Sequence, residues 1–396
     1  MIWVLLGSLG NFIGDSFRLT GTQKGLMTAV PVLSGAGLRL LLGPLGERFG
    51  GRRIGLVCLA LTTLPLLAGW LLADSYSRVL WLGVLLGVAG ASFAVALPLA
   101  SRWYPPEHQG LALGIAGAGN SGTIFASLFA PRLAQAYGWH TVFGLALIPN
   151  LIVLAAFALL AQDSPSTPRR FGLAPYLALL RQPDTGRFAA LYAITFGGFV
   201  GLTGYLAIFL HQQYRLSKVD AGDLTAACVC AGSFARPLGG YLSDRFGGVR
   251  LLLMLLIAIV ALLAAIATLP PFGAALLLLI ALLATLGLGN GAVFQLVPLR
   301  FHREVGAITG LIGAAGGVGG FLLPFLLGST HDRTGSYTGA FLICAAAALV
   351  VLLLLGAAGS GWHGSWARPR AARQGSLART PVHGFGAGTS ETASAE

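Results

Sequence analysis

Twelve apolar segments, most of them long enough to cross a bilayer as a helix, follow one another along this chain with only short polar loops between them. They fall near 2–17, 23–48, 54–73, 79–101, 108–134 and 140–160, then near 187–212, 219–244, 250–269, 272–299, 305–329 and 338–357. Inside lipid every backbone N–H and C=O must find its partner within the chain, so such segments become helices. Only 10% of the 396 residues are charged and the mean hydropathy is +0.80, far from the composition of a soluble domain. The formal charge of +12 does not point to nucleic acid, because the basic residues sit in short loops and form no stripe interleaved with aromatics. The four cysteines lie inside apolar segments without metal-type spacing, so no metal and no other cofactor is expected. The first run lacks a basic leader and a cleavage-like segment, so no signal peptide is expected, although the run is short for a span.

The polar stretch 162–186 contains Ser164-Pro165-Ser166-Thr167-Pro168-Arg169-Arg170 and reads as a loop joining two six-helix bundles, 1–161 and 187–358. Residues 359–396 are rich in Gly, Ala, Ser and Arg and read as a disordered tail. Most basic residues gather on the face carrying Arg48, Arg52, Arg53, Arg245 and Arg250. The positive-inside rule makes that face cytoplasmic, with both termini inside the plasma membrane. The halves also repeat one another. At an offset of 197, Gly35-Arg39-Gly43 falls on Gly232-Arg236-Gly240, Glu47-Arg48 on Asp244-Arg245, and Gly50-Gly51 on Gly247-Gly248. Twelve helices in two parallel six-helix repeats is the organisation of a major facilitator superfamily transporter, and an all-α membrane protein of that fold is expected.

The loop from Gly43 to Arg53, with its copy from Gly240, resembles the cytoplasmic signature of that superfamily. Glu47, Arg48, Asp244 and Arg245 there read as a charge latch between conformations; the plainer reading is that they mark the membrane edge. More specific are Arg39 and Arg236, near the middle of their spans. A charge at that depth costs roughly 3 kcal/mol. At ~1.5 Å per residue the nearer end of the span is beyond a side chain's reach. All 13 Asp and Glu map to loops, span ends or the tail. The missing negative charge is therefore read as substrate, against the alternative of structural arginines bonded to backbone carbonyls. A guanidinium fork matches oxyanions. Glycine-dense stretches in spans five and eleven, with Gly119, Gly122, Gly316 and Gly319, read as close-packed sliding faces for rocking. Asn120 among them has an amide able to donate to an anion.

These glycine stretches resemble the paired signatures of the nitrate/nitrite porter (NarK-type) family of the major facilitator superfamily. The runs Pro31–Arg39 and 235–240 resemble the same family, and the likeness extends to about residue 357. The resemblance implies that Arg39 and Arg236 grip the anion, that Phe93 and Phe294 lie above and below it, and that Tyr192 hydrogen-bonds it. It implies a monomeric carrier of nitrate or nitrite in the lipid bilayer, working by alternating access. Two uncompensated cations should slow an unloaded carrier, which favours nitrate/nitrite exchange. Nitrate/proton symport and a porter of another small anion remain the alternatives; His211 is the histidine closest to the membrane interior. A drug exporter would show buried acids, and an enzyme would show converging catalytic groups; neither is present in the sequence.

Overall fold

The computed structural model describes residues 1–101, 103–104, 117–163, 178–301 and 305–365. Among these run twelve helical segments. α1 is broken into Ile2–Val4, Leu5–Ser8 and Gly10–Ser16; α2 is Gly21–Phe49 and α3 is Gly51–Leu71. α4 comprises Tyr76–Ala91 and Phe93–Ser101, α5 comprises Ala118–Ser121 and Gly122–Tyr137, and α6 is Trp139–Leu160. α7 joins Pro183–Tyr192, a π turn at Ala193–Gly197 and Gly198–Tyr214. α8 is Lys218–Phe246, α9 Gly248–Ala267, α10 Phe272–Arg300, α11 Val305–Thr334 and α12 Thr338–Ser365. Nine helices among the described residues are long and apolar enough to cross a membrane. The expected start of the fifth span (105–116), most of the inter-bundle loop (164–177), residues 302–304 and the tail from 366 lie outside the described residues.

The repeat is written into the backbone. Six of the seven described residues with positive φ form three pairs at the 197-residue offset: Arg18 with Arg215, Gly50 with Gly247, and Gly138 with Gly335. Gly50 at φ 93° and Gly247 at φ 89° make the tight turns after α2 and α8, a conformation that other residues rarely adopt. The N-caps correspond too. Thr20 accepts from the Gln23 amide at the start of α2, and Ser217 accepts from the Asp220 amide at the start of α8.

Successive helices run in opposite directions, so the ends of α1, α5, α7 and α11 share one face with the starts of α2 and α8. This is the α1–α2 face; the tight turns after α2 and α8 lie on the α2–α3 face. Between bundles, α2 packs along α11, α8 along α5, and α1 along α7. Glycines let these backbones touch: a Cβ on Gly25 would strike the Pro324 carbonyl, and one on Gly328 the Gly21 carbonyl. Polar bonds reinforce the closure near the α1–α2 face. The Asp332 carboxylate at the end of α11 accepts from the backbone amides of Gly21 and Thr22, each at 2.7 Å, capping α2 from the other bundle. Lys218 pairs with Asp15 and Arg132 with Asp223, both across the interface. Towards the α2–α3 face, the bonds found among the described residues lie within one bundle: Arg52 donates to the Ala158 carbonyl at 2.6 Å, Gln295 to Asp244 at 2.8 Å, and Arg300 to Asp184 at 2.5 Å. The bundles are thus drawn together at the α1–α2 face.

Several helices run beyond the limits read from composition, and in two of them named contacts hold the extension. α7 starts at Pro183, where a missing N–H costs nothing, and Asp184 supplies an anion in its first turn. Asp184 accepts from Arg187, Arg300 and the Trp362 indole, the last at 3.0 Å. α12 continues through Ser365 because Trp362 is buried and stacks on Phe188 at 5.0 Å. A single anchoring aromatic outweighs the Gly, Ala and Ser around it. Trp362→Ala should therefore lower the thermal unfolding midpoint of the purified protein, by a loss of about 3 kcal/mol. An unchanged midpoint would mean that the end of α12 contributes no stability.

Candidate functional site

Arg39 and Arg236 come from α2 and α8, the equivalent helices of the two bundles, and both are almost fully buried. Each reaches across the interface to the main chain of the other bundle. Arg39 Nη1 donates to the Gly313 carbonyl of α11 at 2.8 Å, and Arg236 Nη1 reaches the Gly117 carbonyl beside α5 at 3.5 Å. Arg39 also donates through Nε and Nη2 to the Gly90 carbonyl of α4, at 3.3 and 3.1 Å. Among the described residues neither guanidinium meets a carboxylate. Carbonyl dipoles offset part of a buried charge, yet they leave the site net cationic.

Aromatic rings surround the pair. The Phe93 ring is shared, with its centroid 5.7 Å from the Arg39 guanidinium carbon and 5.6 Å from that of Arg236. Phe294 lies 5.5 Å from Arg236, and Phe196 lies 5.2 Å and Trp3 5.8 Å from Arg39. Tyr192 stacks on Phe196 at 4.7 Å and meets Phe294 edge-on at 5.0 Å. Its hydroxyl is buried near both guanidinium groups and, among the described residues, closes no well-formed hydrogen bond. The π turn that follows Tyr192 widens α7 at this level, a distortion often found at functional sites. Gly316 makes room for the aromatic stack: a Cβ there would lie 2.6 Å from the Tyr192 ring and 2.9 Å from that of Phe196. The rings around the pair lower the local dielectric and strengthen the field of the two cations.

The structure thus gathers Arg39, Arg236, Phe93, Phe294 and Tyr192 at one level between the bundles. Asn120 stands beside them. It lines a cavity of about 420 Å³ within the first bundle, shared with Arg39, Phe93 and Asn150. Among the glycines, Gly319 lies against the Ala193 carbonyl of the π turn, Gly122 lies near Met1, and Gly119 faces open space. Glu47, Arg48, Asp244 and Arg245 sit at the ends of α2 and α8, away from the arginine pair. Asp244 is held by Gln295 of its own bundle. His211 is engaged with the Leu216 carbonyl at 2.6 Å, at the end of α7.

Sequence reasoning did not single out Phe196, Trp3 or the three carbonyls. Phe196 follows Tyr192 by four residues and so shares its face, a signal available in principle. The carbonyls of Gly90, Gly117 and Gly313 carry no side-chain letter; their only trace is a glycine wherever a guanidinium must come close to the backbone.

Two six-helix bundles related by an internal repeat, with a net cationic, ring-lined cluster at their seam, have the architecture of a membrane carrier. Residues 1–324 match the family model of the Major Facilitator Superfamily. The probable nitrate/nitrite transporter NarK2 of Mycobacterium tuberculosis is 38% identical over 359 residues, covering 88% of this chain and 90% of its own. The nitrite extrusion protein of Bacillus subtilis is 34% identical over 360 residues, with 90% of each chain covered. The probable nitrate/nitrite antiporter NarK1 of Thermus thermophilus is 33% identical over 370 residues, covering 84% of this chain and 82% of its own. Among solved structures, the xylose transporter XylE from E. coli superposes with a TM-score of 0.70 at 14% identity, covering 89% of this chain and 92% of that one. The chain belongs to the Major Facilitator Superfamily and, within it, to the family of nitrate/nitrite porters.

Proposed function

We propose that this chain carries nitrate and nitrite across the plasma membrane by alternating access, exchanging one anion for the other. The observation that carries this reading is the pair of buried guanidinium groups, one from each bundle, with carbonyls and rings around them and no described carboxylate. A planar oxyanion satisfies both forks at once and fits among the rings. The relatives named for nitrate and nitrite support that choice of anion.

The cross-bundle bonds suggest how binding and movement are linked. Gly313 and Gly117 carbonyls compete with an anion for the same N–H groups. An anion that takes these donors loosens both ties between bundles at the moment it neutralises the cations. A carrier without its anion would have to break the ties with nothing in return, at a cost of about 1.5–3 kcal/mol for each charged hydrogen bond. With the basic α2–α3 face taken as cytoplasmic, closure at the α1–α2 face makes this the inward-facing arrangement. Asp332, Lys218–Asp15 and Arg132–Asp223 then form the outer closure, and Glu47, Arg48, Asp244 and Arg245 act at the inner edge.

Purified protein in liposomes tests the reading. Uptake of external nitrate should depend on nitrite or nitrate inside the vesicles and should be indifferent to an imposed pH gradient. Rapid uptake into anion-free vesicles driven by a pH gradient would replace exchange with symport. No flux of either anion under any gradient would sink the assignment altogether.

A further inference from the structure

Two buried polar side chains close to Arg236 have atoms without a hydrogen-bond partner among the described residues: Ser233 through Oγ and Asn290 through Oδ1. Both residues are over nine-tenths buried. Ser233 precedes Arg236 by three residues on α8, and Asn290 precedes Phe294 by four on α10. Each therefore shares the face of its site residue, one helical turn nearer the α1–α2 face. The two helices touch at this point, since a Cβ on Gly291 would strike the Arg236 carbonyl.

Among the described residues Ser233, like Thr185 near the start of α7, is a buried helical hydroxyl of this bundle without a partner. Thr195, Thr203 and Thr225 donate back to the carbonyl four residues earlier, at 3.0, 2.7 and 2.7 Å. The Ser233 hydroxyl makes no such bond, and its main-chain carbonyl is denied the usual i+4 donor because that position is Pro237. The result is two acceptors in need of a donor, Asn290 Oδ1 and the Ser233 main-chain carbonyl, one helical turn from the level of a cation. An oxyanion only accepts hydrogen bonds, so it leaves them unsatisfied. A water molecule serves both sides: it donates to Asn290 Oδ1 and to the anion, and accepts from the Ser233 hydroxyl. In the first bundle Ala36 stands at the 197-residue offset from Ser233, and Ala89 precedes Phe93 by four as Asn290 precedes Phe294, so the second bundle alone has this arrangement.

We propose that Ser233 and Asn290 are positioning residues that hold one water against the bound anion. This rests on the nitrate/nitrite reading of the site. With two nitrate oxygens taken by the arginine forks, the water meets the third oxygen, which nitrite lacks, and so favours nitrate. In liposome exchange assays, Asn290→Ala and Ser233→Ala should each raise the KM for nitrate about ten-fold and that for nitrite less than about three-fold, with kcat little changed. The double variant should be no worse than the poorer single one, because the same water is lost, and Asn290→Ser should recover part of the nitrate affinity. Equal changes for both anions, additive losses or unchanged KM values would overturn the proposal. If Asn290→Ala does not fold, the nitrate-to-nitrite ratio in Ser233→Ala decides alone. Full nitrate transport after replacement of Arg39 or Arg236 would instead remove the anion site on which the proposal stands.

Discussion

Arg39→Lys and Arg236→Lys should each reduce nitrate exchange by about 100-fold or more, while the protein still folds and inserts. Lysine keeps the positive charge, so long-range attraction survives. What it loses is the planar fork: one point donor replaces a pair aligned on two oxygens. Loss of a bidentate charged contact in a water-poor site costs about 2–4 kcal/mol, which converts to roughly 30- to 1,000-fold in affinity. Arg39 has a second duty, because its Nε and Nη2 hold the Gly90 carbonyl. Arg39→Lys should therefore also lower thermal stability more than Arg236→Lys does. Nitrate-dependent thermal stabilisation separates the two effects. It should vanish in both variants, and its survival in either would show that the residue lies outside the binding site.

Gly328→Ala should cut turnover at least ten-fold with little change in anion affinity. The new methyl would collide with the Gly21 carbonyl where α11 and α2 meet near the α1–α2 face. Both partners are backbone, so relief requires the helices to part, and with them the bundles. That displacement also disturbs the bonds from Asp332 to Gly21 and Thr22. The arginine pair lies deeper and keeps its own glycine clearances. Distances between spin labels on the α1–α2 and α7–α8 loops should lengthen in this variant. Unchanged distances and wild-type turnover would show that this contact does not limit the closure.

Much of the fold was legible in the sequence because lipid leaves so few options. Apolar length marks the spans, and the 197-residue offset pairs Gly50 with Gly247, whose φ angles match. The arginines stood out because a charge at that depth is costly whatever surrounds it. What surrounds them was harder to read. The acceptors of Arg39 and Arg236 are main-chain carbonyls, which the sequence does not name. The bonds that tie the bundles together join Asp332 to Gly21 and Arg132 to Asp223, residues far apart in the chain, and no repeat or spacing announces such pairs. The recurrent charges at Glu47, Arg48, Asp244 and Arg245 drew notice to the opposite face. Composition placed the end of α12 too early, because an average over Gly, Ala and Ser hides a single tryptophan that binds Asp184.

The mirrored bonds from Arg39 to Gly313 and from Arg236 to Gly117 give the molecule the logic of a lock that needs two keys turned together. Each bundle supplies one key and one keyhole, so neither can be called the moving part. A single small ion that engages both guanidinium groups turns both at once; an ion too small or too lopsided to do so turns one and leaves the bolt in place. Leak through such a device is set by the chance that two independent catches open in the same instant, which falls as the product of the two.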